Sequence, residues 1–104
     1  MSGASTTPRV ARLDGRQRTK RAVLAKLAHD LAFPAHFGGN LDALFDVLTT
    51  DIAGPLRIEW RVTKNAASAL GQDLEPLRRV LADAAAERDD LELELELAAS
   101  RQPR

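Results

Sequence analysis

From Leu91 to Leu97 the chain alternates leucine and glutamate without a break. A strand places successive side chains on opposite faces, whereas a helix would scatter these leucines around its circumference. Both residue types favour helices in isolation. The strict period of two overrides that preference and predicts a strand with one apolar and one wet face. Leu56 to Trp60 repeats the pattern, with Leu56, Ile58 and Trp60 on one side and Arg57 and Glu59 on the other. Val10 to Leu13 makes a third, shorter strand, closed by an Asp14-Gly15 turn.

Helical periodicity fills the gaps between these strands. Thr19 is placed to cap a first helix, whose buried face is Leu24, Leu27, Ala28 and Leu31. Pro34 ends it, because proline lacks an N–H and disfavours helical geometry at Phe33. Asn40 caps a second helix with the stripe Leu41, Leu44 and Leu48, and Gly54-Pro55 breaks the chain again. Thr63 to Leu70 reads as a short helix stopped by Gly71. Asp73 caps the last helix, Pro76 is tolerable in its first turn, and Leu74, Leu77, Leu81 and Ala84 form its stripe. Helical crossovers between strands require a parallel sheet. Charged residues at every second strand position leave one sheet face to water. The expected fold is therefore α/β and two-layered, a three-stranded parallel sheet with helices packed on one face. The wet face would bring Arg57 near Glu92, Glu94 or Glu96.

A chain of 104 residues is one domain, expected over residues 9–98, with a flexible leader at 1–8 and a flexible tail at 99–104. There is no apolar run of membrane-spanning length, and the start lacks the apolar core of a secretory signal. Without cysteine there is no disulfide and no thiolate nucleophile or metal ligand. These features favour a cytoplasmic protein.

The formal net charge is zero but unevenly spread. Arg9, Arg12, Arg16, Arg18, Lys20, Arg21 and Lys26 form a basic strip, relieved only by Asp14. Such a strip can mark a nucleic-acid surface or simply pair internally. The stretch from Leu27 to Leu56 is its opposite: no Lys or Arg, and four aspartates, Asp30, Asp42, Asp46 and Asp51. Asp42 and Asp46 lie four apart on a helix, one above the other on one face, with Phe45 between them. With no local cation to neutralise it, this face suits a cationic partner. An acid–base dyad would need the two pKa values driven apart by burial or close repulsion, which an exposed i, i+4 pair does not supply. A metal site would need several convergent oxygens. No nucleophile–base pattern or phosphate-cradling glycine loop is present, so the chain reads as a binding protein and not an enzyme. Phe45 fits either the core edge or an exposed anchor. His36 is on its own a turn residue, and Trp60 a core plug.

The segment from Phe33-Pro34 through Phe37-Gly38-Gly39-Asn40-Leu41-Asp42-Ala43-Leu44-Phe45-Asp46 to Thr49 resembles the hallmark of the barstar family, intracellular inhibitors of the secreted bacterial ribonuclease barnase. Pro55-Leu56 and Glu59-Trp60-Arg61 follow at matching spacing. The resemblance spans about residues 9–98 and is sharp over 33–61. It implies a helix and preceding loop that plug the active site of a small cationic ribonuclease, one-to-one and without a cofactor. Asp46 would take the place of an RNA phosphate among the enzyme's cations, and Asp42 would face the guanine-recognition side. Gly38 and Asn40 would bring backbone close to the enzyme. Phe45 would stand where the family has tryptophan, and Thr50 would join the contact. His36 stands where tyrosine is frequent, Asp51 where the type member has tryptophan, and Asp83 for an acidic residue of the last helix. Asp83 equally fits an i, i+4 pair with Arg79. Two other readings are a nucleic-acid module using Arg9 to Lys26, and the same fold serving a non-ribonuclease partner.

Overall fold

Three strands built on the alternating segments form one parallel sheet in the computed structural model, which describes residues 7–97 and, of Leu97, the backbone alone. The expected tail, and the leader up to residue 6, lie outside the described residues. β1 (Arg9–Leu13), β2 (Leu56–Val62) and β3 (Leu91–Leu97) run in the order β1-β2-β3. Leu13 lies beside Trp60, and Trp60 beside Leu95. β2 continues two residues past the expected Trp60, because Val62 extends the buried row.

That row, Leu56, Ile58, Trp60 and Val62, is sealed, as are Ala11 and Leu13 on β1. Large-to-alanine changes at sites like Trp60 typically cost about 3–5 kcal/mol, since lost transfer energy and a residual cavity add. The opposite face is wet, as the alternation requires. Arg57 reaches Glu59 (2.8 Å), Glu92 (2.6 Å) and Glu94 (2.8 Å), while Arg61 pairs with Glu96. Glu59, then Glu94, hold the Arg57 guanidinium above its ordinary pKa.

Helices cover the other face. α1 (Lys20–Asp30) packs on β1. α2 (Leu41–Asp46) runs directly into a π-helical turn, Val47–Asp51. α3 (Lys64–Leu70) leads through a 3₁₀ turn, Gly71–Asp73, into α4 (Leu74–Glu87), which packs against α2 and β3. The hydroxyls of Thr19 and Thr63 accept the N–H groups of Ala22 and Ala66, so the capping chemistry acts as its residue types predict. Val23, Leu24, Leu27 and Leu31, with Leu77, Leu81 and Ala84, close the core from above. No helix among the described residues is long and apolar enough to cross a membrane.

Two helix boundaries differ from expectation. α1 stops before Pro34 acts. The Phe33 N–H bonds to Ala28 O (2.9 Å) and the Ala32 N–H to His29 O (3.4 Å), with Ala32 at φ +55°. This is the paired 6→1 and 5→2 bonding of a left-handed helix stop, with alanine where glycine is usual. Asp73 does not cap α4 with its side chain. Its own backbone is already helical (φ −78°, ψ −18°), because the 3₁₀ turn delivers the chain into α4 without the extended residue a capping side chain needs.

Candidate acidic docking site

The loop before α2 is pinned from below. Phe33 and Phe37 meet edge to face, ring centroids 4.9 Å apart, and both pack against the core. The Phe37 N–H bonds back to Pro34 O at 3.0 Å. With its aromatic ends held, the loop turns His36 and Gly38 outward, both exposed. Gly39 adopts φ +76°, with open space where a Cβ would be. Its glycine is needed for backbone sign rather than for room.

Asn40 then starts α2. Its extended backbone (φ −127°, ψ 174°) lets Oδ1 accept the Ala43 N–H at 2.8 Å, which leaves the amide NH₂ for other partners. Asp42 falls in the first turn, where its charge complements the helix dipole. Asp42 and Asp46 are exposed, and neither makes an ion pair or side-chain hydrogen bond among the described residues. Phe45 resolves its two alternatives as a mixture: half-buried and packed against the core. α2 is held by Leu44, fully buried beneath it.

At Val47 the helix widens. The Ile52 N–H bonds to Val47 O (3.3 Å), five residues back, instead of Leu48 O. A π turn of this kind inserts one residue into the helical repeat and shifts the phase of the residues after it. Thr50 and Asp51, both exposed, lie in it. The Asp51 carboxylate is 3.6 Å from Nε2 of His36, so the pair spans from the loop to the far end of the helix. When the ring is protonated, its charge is opposed by Asp51.

The displaced carbonyl of Leu48 does not go unpaired. Nη1 of Arg88 donates to Leu48 O and to Ile52 O, each at 2.8 Å, while Nε and Nη2 grip the Asp90 carboxylate at 2.7 and 2.9 Å. Only 14% of the Arg88 side chain is exposed. Hydrogen bonding to Asp90 is the main cause that raises the Arg88 pKa, and in return it lowers that of Asp90. The acid-only stretch thus has a cation beside it after all, brought from forty residues away, but its charge is matched by Asp90 and its Nη1 faces backbone carbonyls. Arg88 was not among the residues the sequence singled out. The available hint was that it is the one cation between Val80 and Leu97.

Asp83 is exposed on α4, the helix packed against α2, and no ion pair ties it to Arg79 among the described residues. Of the seven cations in the basic strip, four have partners among the described residues. Arg9 donates to Leu31 O, Arg12 pairs with Glu59, Arg16 with Asp14, and Lys26 with Asp30. Among the described residues no three His, Cys, Asp or Glu side chains converge as metal ligands.

A family model described as Barstar (barnase inhibitor) matches residues 9–99. The chain belongs to the barstar family. Its sheet and helices are those of a barstar-like fold, and the matched span takes in every strand and helix described above. In this barstar-family chain the loop, the acidic helix and the π turn each present exposed residues, His36, Gly38 and Asn40, then Asp42 and Asp46, then Thr50 and Asp51, and the family's description is that of an inhibitor.

Proposed function

We propose that this protein is an intracellular inhibitor, or immunity protein, of a small cationic ribonuclease, which it blocks one-to-one with α2 and the preceding loop. The observation that carries the reading is the unpaired state of Asp42 and Asp46, exposed on one helix face in a family of barnase inhibitors. A ribonuclease needs a positive cleft to bind phosphate. Asp46 enters that cleft as a phosphate surrogate, because a carboxylate accepts two hydrogen bonds from one guanidinium, as phosphate does. Asp42 meets the base-recognition side. Gly38 and Asn40 allow close backbone approach, Phe45 offers its exposed edge, and His36, Thr50, Asp51 and Asp83 complete the contact. The summed negative charge speeds encounter with a cationic partner. The protein acts without a cofactor and in the cytoplasm.

Asp46→Ala is expected to weaken binding by roughly 2–5 kcal/mol, a range that barnase–barstar measurements themselves helped define, because the partner's cations are left buried and unpaired. Calorimetry against a barnase-like ribonuclease, with an RNA-cleavage assay alongside, tests it. Unchanged affinity in that variant removes Asp46 from the site. A filter-binding assay tests the nucleic-acid reading: appreciable RNA binding by the isolated protein would favour the basic strip over the acidic helix.

A further inference from the structure

The two edges of the sheet are treated differently. On β1 the outer side is occupied: the Arg12 N–H donates to Asp30 Oδ2 at 3.1 Å, and α1 lies alongside. β3 is the other edge, seven residues long. Among the described residues no backbone or side-chain hydrogen bond engages its outer side. An edge with a row of unpaired N–H and C=O groups is a template for another strand. The core beneath it is also incomplete. Every inward residue of β2 is sealed, whereas Leu93 and Leu95 of β3 pack against the core but are only partly buried. A fourth strand would satisfy the first deficit, and its inward aliphatic side chains the second.

Charge identifies the occupant. The outward row of β3 is Glu92, Glu94 and Glu96, with side chains 69%, 61% and 68% exposed. Their partners Arg57 and Arg61 come from β2, on the far side from any incoming strand. A second copy of this chain is a poor fit. With the leucines of both strands facing the core, parallel or antiparallel pairing sets glutamate against glutamate along the seam, and like charges directly opposite destabilise. A strand with lysine or arginine at those positions is attracted instead. We propose that the open edge of β3 is a second docking surface, which takes an extended segment of another protein alternating lysine or arginine with aliphatic residues. Main-chain bonds supply affinity and the alternating side chains supply selectivity.

The probe is the capped heptapeptide Lys-Val-Lys-Val-Lys-Val-Lys, titrated into isotopically labelled full-length protein and followed by amide chemical shifts and hydrogen exchange. The expected result is shifts and slowed exchange confined to Leu91–Leu97, with affinity at least about tenfold above that of a scrambled peptide with its lysines clustered. The triple variant Glu92→Gln, Glu94→Gln, Glu96→Gln should lose about tenfold in affinity for the alternating peptide. Its fold is checked by circular dichroism, and Arg57 keeps Glu59 as a partner. Equal binding of the scrambled peptide, shifts centred on Asp42 and Asp46, or self-association of the free protein through β3 would each overturn the proposal.

Discussion

Replacing Arg88 with alanine removes the donor that makes the π turn tolerable. Its Nη1 holds two carbonyls at 2.8 Å, those of Leu48 and Ile52, and the first is orphaned by the helix widening itself. Hydrogen bonds to a charged donor contribute about 1.5–3 kcal/mol each. Water reaches the site once the side chain is gone, so the lower end applies to both, which gives about 3 kcal/mol. Total stability for a domain of this size is about 5–15 kcal/mol. At about 4–8 °C per kcal/mol, melting should fall by about 12–24 °C. Calorimetry and urea titration both measure this. Arg88→Lys should recover part of the loss, because an ammonium can reach a carbonyl but cannot grip Asp90 in a fork. Ribonuclease affinity should fall as well, although Arg88 is no part of the docking face, since Thr50 and Asp51 are carried by the turn it holds. A melting point within about 2 °C of the parent would refute the reasoning, because the two bonds would then contribute nothing net.

At Ala32, glycine should stabilise the fold by about 0.5–1 kcal/mol: the relief of left-handed strain exceeds the added freedom of the unfolded chain. A urea denaturation midpoint checks this, and a lower midpoint would contradict the helix stop. At Asp30, burial pushes the carboxyl pKa up, but the Lys26 ammonium at 2.6 Å, the Arg12 N–H and His29 outweigh it and hold it below its ordinary value. A carboxyl with a depressed folded pKa contributes stability that is present above the unfolded value and lost as pH falls through the folded one. Asp30→Asn should therefore cost about 1–2 kcal/mol at neutral pH and flatten the loss of stability below about pH 4. Stability measured against pH in both proteins tests it. Raising salt should slow association with a cationic ribonuclease more than it changes dissociation, read by stopped flow. A salt-insensitive on-rate would argue against steering.

The parts of the molecule legible in the sequence are those set by neighbours within about four residues. Alternation at Leu91–Leu97 and Leu56–Trp60 fixed which faces of the strands are dry. Thr19, Asn40 and Thr63 announced helix starts, because a capping side chain reaches only the next turn. The acidic pair and its exposure followed from helical spacing and from a stretch without cations. The alternatives left open for Phe45 could not be separated that way, since burial at a helix edge depends on what packs beside it.

What the tertiary structure alone decided involves partners distant in the chain. The π turn exists beside a guanidinium forty residues away, and no local pattern at Val47–Asp51 announces it. His36 and Asp51 meet because the loop and the helix end fold back on each other. Asp73 lost its capping role to the geometry of a preceding 3₁₀ turn. The pairing of Arg12 and Lys26 from the basic strip depended on acids on β2 and at the end of α1. Periodicity and capping are short-range and are written in consecutive residues, and strand alternation carried even the Arg57 pairs across the sheet; carbonyl satisfaction and the pairing of loop with helix end are settled only when the packed chain brings distant groups within bonding distance.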